Sequence, residues 1–295
     1  MTNKTVKIHS SKSIFADVEH RCNKPIYGID DRLYFDYRKI SNRPKVILNT
    51  IPKSGTYLYS KLFEELGYYN TGIHLSSESV QDFRFETLES IVSDAERFRV
   101  FLPLYRSRNL LHSGQFSVVH LDCTEETVNL LSDMTLFFAI RDLRSVMVSF
   151  MRLFLDPRKK NNKSAKKYEG LHGSDLMLRF LEQEGGSYLT NRIGPIVPWV
   201  DNPNVEVLRF EHIAGISGKE PQLQSFNRIA ARLEVNIPDE PGKFLKNKVL
   251  GQRTRTWTGS LSIYKEYWSD QVEEKFKELG GVNYNIRLGY QSDWH

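Results

Sequence analysis

Cysteine is almost missing from this 295-residue chain: Cys22 and Cys123 are the only two, and they lie far apart in sequence. Their scarcity excludes the disulfide framework of small secreted domains and leaves no cysteine pair at metal-ligand spacing. Long apolar runs are missing too. No stretch of about eighteen apolar residues occurs, and the N-terminus, Met1-Thr-Asn-Lys-Thr-Val-Lys-Ile-His9, has no apolar segment of the kind a signal peptide needs. The expectation is a soluble cytoplasmic protein in a reducing compartment, with no membrane partner. Charge of one sign is scarcely in excess: Lys plus Arg number 41 against 36 Asp plus Glu, a formal +5. That balance suits an anionic small ligand as well as it suits nucleic acid. The chain has no basic track interleaved with aromatics and no zinc-finger spacing, so nucleic acid is not the expected partner.

Hydrophobic residues make up 40% and charged residues 26%, the balance of a chain that folds throughout. Residues 1–44 are polar, carry a Tyr34-Phe35-Asp36-Tyr37 cluster, and show no period. They are expected to form an N-terminal extension packed on the core, with 45–295 as a single domain. Val46-Ile47-Leu48 reads as a buried strand, and Tyr57 to Leu66 as a helix ending at Gly67. Phe116 to Leu121, Thr135 to Ile140 and Asn204 to Phe210 are further strand candidates. The intervening segments Glu125 to Leu131, Ser145 to Leu155 and Leu223 to Leu233 have helical spacing. Strands alternating with helices imply an α/β fold with a central, mostly parallel sheet flanked by helices. A ligand site is then expected beyond the carboxyl ends of the strands.

Pro52-Lys-Ser-Gly-Thr56 stands at the first such strand end. A helix beginning just after a parallel strand presents unpaired N–H groups and the positive end of its dipole, a natural anion site. Lys53 supplies a cation, Ser54 and Thr56 hydroxyl donors, and Gly55 a close approach for backbone. The nucleotide-triphosphate pattern G-x-x-x-x-G-K-[ST] is missing, which weighs against a P-loop kinase. The plainer alternative is an ordinary turn with a capping serine.

A second constellation, Ile140-Arg-Asp-Leu-Arg-Ser-Val-Met-Val-Ser-Phe150, also passes from strand into helix. Arg141 at the strand end and Ser149 within the helix could reach one phosphate from two sides, the arginine through its planar fork of donors. The alternative is an Arg141–Asp142 ion pair with Ser149 facing the sheet. Arg158 to Tyr168 holds six basic residues and no acidic one, and reads as a solvated loop.

Together these segments resemble the sulfotransferase family that uses 3′-phosphoadenosine 5′-phosphosulfate (PAPS). There, Pro-Lys-Ser-Gly-Thr binds the 5′-phosphosulfate end, and an Arg-Asp-Pro-Arg-Ser-type segment with a serine eight residues beyond its arginine grips the 3′-phosphate. Here Leu143 replaces the usual proline and Tyr57 a second threonine. The family's catalytic histidine lies about twenty residues before that arginine. His120, in Val118-Val-His-Leu121, lies 21 before Arg141. Val118 occupies the place of a family lysine. Val207-Leu-Arg-Phe-Glu-His-Ile213 looks like the family's Tyr-Glu-Asp-Leu segment, with Phe210, His212 and Ile213 as departures. Arg253-Thr-Arg-Thr-Trp-Thr-Gly259 is similar to its basic, glycine-containing loop, and the choice between Arg253 and Arg255 for the 3′-phosphate stays open.

The resemblance implies a P-loop-type three-layer fold and in-line sulfuryl transfer from PAPS, leaving adenosine 3′,5′-bisphosphate (PAP) and needing no metal. Lys53 would steady the leaving phosphate. The backbone N–H groups from Gly55 to Tyr57 would hold its oxygens, with Ser54 and Thr56 beside them, and His120 would take the acceptor's proton. His74 is the second candidate base and fits better as a substrate-pocket residue. Tyr57, Tyr59, Phe83 and Phe85 are candidates for the acceptor pocket, against a plain packing role. The acceptor is expected to be a hydroxyl or amine of a small molecule. The likeness is greatest to tailoring enzymes of secondary metabolism, a branch that includes enzymes acting on saxitoxin-type alkaloids. A homodimer is left open. The alternatives are a P-loop small-molecule or nucleotide kinase and a non-catalytic PAP binder.

Overall fold

A computed structural model describes residues 42–84, 86–158, 163–249 and 263–291. Residues 1–41 of the expected N-terminal extension, Phe85, and both Arg253 and Arg255 lie outside the described residues.

Among the described residues, eight strands form one sheet: β1 (Val46–Thr50), β2 (Tyr69–Asn70), β3 (Ile73–Leu75), β4 (Ser79–Asp82), β5 (Arg99–Phe101), β6 (Gln115–Val119), β7 (Thr135–Ile140) and β8 (Val205–Arg209). Their order is β5-β4-β3-β6-β1-β7-β8, with β2 also paired to β6. The pairs β6–β1, β1–β7 and β7–β8 are parallel, whereas β3–β4 and β4–β5 are antiparallel. The sheet is therefore mixed and mostly parallel.

Successive side chains of the central strands go to opposite faces of the sheet, as a period of two requires, and both faces are buried. Val46 and Leu48 of β1 share a core with Phe116, Val118, Phe137, Ala139 and Leu208. Ile47 belongs to a second core with Val119, Phe138 and Ile140. Both faces are thus covered, which is why these strands read as continuous apolar runs. The first core is closed by α1 (Thr56–Glu65), through Tyr59, Leu62 and Phe63, and by a later helix over Lys219–Leu233. Against the other face lie α3 (Leu143–Phe154) and the helical stretch that begins as α4 (Gly173–Phe180). The short α2 (Glu125–Leu130) joins β6 to β7. Numbered in chain order, Lys219–Leu233 is α5, Asp270–Glu278 is α6 and Gly281–Arg287 is α7. The last two close the second core with Val272, Phe276 and Val282.

α3 begins two residues earlier than periodicity indicated. The side chain of Asp142 accepts from the Arg144 backbone N–H at 2.8 Å and caps the helix, so its first turn opens directly at the end of β7. Among the described residues, no helix is long and apolar enough to cross a membrane.

Candidate functional site

The carboxyl ends of β6, β1, β7 and β8 lie side by side, and each carries part of the site. After β1 the chain turns through Ile51 to Gly55 before α1. Lys53 has φ +75° and Gly55 φ +103°. The first value is uncommon for a residue with a side chain and costs on the order of 1–3 kcal/mol. Three contacts hold it. The Ala139 carbonyl of β7 accepts both the Ile51 N–H at 3.0 Å and the Ser54 hydroxyl at 2.9 Å, pinning both ends of the turn. The Tyr188 hydroxyl donates to the Pro52 carbonyl at 3.4 Å. Ser54 is fully buried and its hydroxyl hydrogen goes to Ala139. Its side chain braces the turn, where the sequence suggested a donor to the ligand.

Gly55 caps α1 without a side chain, and the first turn holds no acidic residue. The positive end of the helix dipole is thus left for an external anion. Thr56 and Tyr57 open this helix, Tyr57 half-buried. A Cβ on Gly55 would stand 2.5 Å from the Phe210 ring, so close approach as well as φ demands glycine there.

His120 follows β6 and its side chain is exposed. Its Nδ1 lies 2.7 Å from the Thr50 carbonyl oxygen. A carbonyl only accepts, so Nδ1 carries the hydrogen and the lone pair of the neutral ring falls on Nε2. The Thr50 hydroxyl is 3.0 Å from the same nitrogen and 3.0 Å from the Thr56 hydroxyl. The histidine is thereby joined to the start of α1.

Arg141 stands at the end of β7 with its guanidinium 4.2 Å from the ring centre of Phe210. Its Nε is buried and has no hydrogen-bond partner among the described residues. Burial lowers the arginine pKa, and the Glu211 carboxylate opposes that shift. The group remains a cation with a donor to spare. A doubly charged phosphate fits this donor and the uncapped helix start, so the residues present suit the 3′- and 5′-phosphates of a PAPS-type nucleotide.

Asp142 does not pair with Arg141 as the alternative reading held. It caps α3 and lies 3.4 Å from Arg144. Arg144 is 1% exposed and grips Glu273 of α6 with two bonds of 3.0 and 2.7 Å, while the Trp268 indole donates to the same carboxylate at 2.6 Å. Glu211 accepts from the Asp142 backbone N–H at 3.2 Å and from the Tyr290 hydroxyl at 2.7 Å. Burial raises the Glu211 pKa, partly offset by the Tyr290 bond.

The structure therefore brings Lys53, Ser54, Gly55, Thr56 and His120 around one turn, with Arg141 beside it across Phe210. Ser149 is half-buried on α3. His74 is on β3, its ring edge-on to Phe83 at 4.9 Å. Tyr59, a candidate for the acceptor pocket, is instead a fully buried core residue whose hydroxyl donates to the Leu208 carbonyl at 3.1 Å. Sequence reasoning missed Thr50, although a threonine ending the strand two residues before Pro52 is a visible signal. It also missed Arg144 as a strut. No group of three or more His, Cys, Asp or Glu that could hold a metal ion occurs among the described residues.

No family model matches the sequence, and no curated protein does either. Among solved structures, the chain is similar to mouse sulfotransferase SULT7A1 complexed with PAP. The TM-score is 0.52 and the identity 13%, over 88% of this chain and 93% of that one. At that identity the likeness is one of fold, and the chain has the α/β fold of a PAPS-type sulfotransferase.

Proposed function

We propose that the protein is a sulfotransferase that moves the sulfuryl group of PAPS to a hydroxyl or amine of a small molecule. The observation that carries this reading is the His120–Thr50–Thr56 connection, which sets a histidine beside an uncapped helix start in a fold shared with a PAP-complexed sulfotransferase.

PAPS, when bound, supplies a sulfuryl group already activated by its phosphate leaving group. The chain's contribution is charge and position. Lys53 and the first N–H groups of α1 stabilise the negative charge that gathers on the 5′-phosphate side. Nε2 of His120 takes the proton from the acceptor O–H or N–H, so the new bond to sulfur forms as the old S–O bond breaks and the histidine leaves the step protonated. Arg141, joined by Ser149, holds the 3′-phosphate. Gly55 keeps the turn open to the ligand.

The test is incubation with sulfur-radiolabelled PAPS and a panel of alcohols, amines and carbohydrates that includes saxitoxin-type alkaloids. Label transfer to a member of the panel is the expected result. PAP binding without transfer to any acceptor would point to a non-catalytic nucleotide binder, and absence of PAP binding would remove the proposal altogether.

A further inference from the structure

The hydrogen bonds around Thr50 have a direction. Both hydroxyls are shielded, Thr50 completely and Thr56 nearly so. Because the Thr50 carbonyl at 2.7 Å requires a hydrogen on Nδ1 of His120, the Thr50 hydroxyl at 3.0 Å cannot donate to that nitrogen. It shares the Nδ1 hydrogen as a second acceptor, a three-centre arrangement. Its own hydrogen is then directed to the Thr56 oxygen at 3.0 Å. Thr56, having accepted, keeps its hydrogen for an acceptor outside the chain of bonds. Among the described residues, the order that fits these contacts runs from imidazole to Thr50 and on to Thr56, whose hydrogen is then available to an anion at the start of α1.

We propose that Thr50 is a positioning residue that fixes the tautomer of His120 and couples it to occupancy of the anion site. An anion that accepts from Thr56 orients both hydroxyls and so reinforces the Nδ1–H form, the form with its lone pair on Nε2. The base is thus readied when the nucleotide is in place. The tautomer bias follows from the protein alone. Only the identity of the anion rests on the sulfotransferase reading.

The experiment is nitrogen NMR of the full chain carrying ¹⁵N-histidine, at a pH where His120 is neutral, without ligand and then with PAP. In the ligand-free protein the Nδ1–H form of His120 should exceed the Nε2–H form at least about tenfold. Thr50→Val should lower that ratio roughly five- to tenfold, the worth of one hydrogen bond, and Thr50→Ser should restore it. Thr50→Ala is the second variant, with the same expected loss, should the valine protein not fold. PAP should raise the ratio in the wild type and in Thr50→Ser but not in Thr50→Val. Turnover should fall about tenfold in Thr50→Val with PAP affinity within about twofold of wild type. A valine or alanine variant with the wild-type ratio, or a loss that serine does not repair, overturns the inference even if sulfuryl transfer is found. The expected ratios in a protein that does not bind PAP would uphold the tautomer bias and remove the nucleotide reading instead.

Discussion

The guanidinium of Arg141 lies 4.2 Å from the ring centre of Phe210, and the edge of that same ring closes on Gly55. One aromatic side chain at the end of β8 thus sets the spacing between the turn after β1 and the arginine after β7. A cation over an aromatic face is held by the ring quadrupole, and here it is also oriented. The turn after β1 and the arginine after β7 are held in register by packing within the protein.

Gly55→Ala tests that spacing. The new methyl would fall 2.5 Å from the ring at φ +103°, so the ring or the turn must move. Overpacking of this kind costs about 1–3 kcal/mol, and the backbone strain adds to it. Tm should fall by several degrees, and PAP affinity should drop because Arg141 moves with the ring. A variant with wild-type Tm and affinity would show that the contact imposes nothing.

Lys53→Ala should lower the transfer rate by roughly 10²- to 10³-fold, the scale for removing one group that stabilises developing charge. Single-turnover rates with radiolabelled PAPS measure it directly. A rate within a few-fold of wild type would take Lys53 away from the breaking bond.

His120→Ala should reduce transfer by about 10²- to 10⁴-fold, the range for a general base, while calorimetric PAP affinity stays near wild type. His74→Ala should keep most of the activity unless the acceptor touches it, in which case KM rises and kcat changes less. Normal turnover by the His120 variant would move the base elsewhere.

Arg141→Ala should weaken PAP binding by about 1.5–3 kcal/mol, the scale of a charge-assisted hydrogen bond, which is roughly tenfold to 150-fold in Kd. Arg141→Lys should recover only part of that, since an ammonium lacks the planar fork. Equal affinity in wild type and Arg141→Ala would place the 3′-phosphate elsewhere.

Glu211 gives a pH dependence of stability with a definite sign. Its pKa is raised above the ordinary 4.5, chiefly by burial, so the folded state holds this proton more tightly than the unfolded chain does. The group therefore favours the fold at acid pH and costs stability as pH climbs through its folded-state value. Glu211→Gln removes that cost. The Tm of the variant minus that of wild type should grow from pH 4.5 upward, followed by thermal melts across the range. A gap that shrinks with rising pH would reverse the assignment.

The central strands were legible because burial on both faces demands continuous apolar runs. Thr135–Ile140 is the same span in sequence and structure, and Val46–Leu48 merely extends to Thr50. The four short strands β2 to β5 left no such trace, since two to four residues are too few to show a period. The turn after β1 and the strand-end arginine were visible as local motifs. What was not visible is long-range: nothing near Arg144 in the sequence shows that Glu273, 129 residues away, claims its guanidinium. For Tyr59 the choice between pocket and packing likewise falls to packing only through Leu208, 149 residues on, which takes its hydroxyl.

The partners of the segment after β7 come from far downstream: Glu273 for Arg144, Asn285 for Asp142 and the Leu143 N–H, Tyr290 for Glu211 beside them. During synthesis the chain emerges N-terminus first, so β1, β6 and β7 leave the ribosome long before these groups exist. The turn around Lys53 is braced by Ala139 and Tyr188, and Phe210 packs against both Gly55 and Arg141, whereas the supports of Arg144 and Glu211 beside Arg141 come from residues 273–290. The turn after β1 and the segment after β7 therefore gain their supporting contacts at different times as the chain emerges.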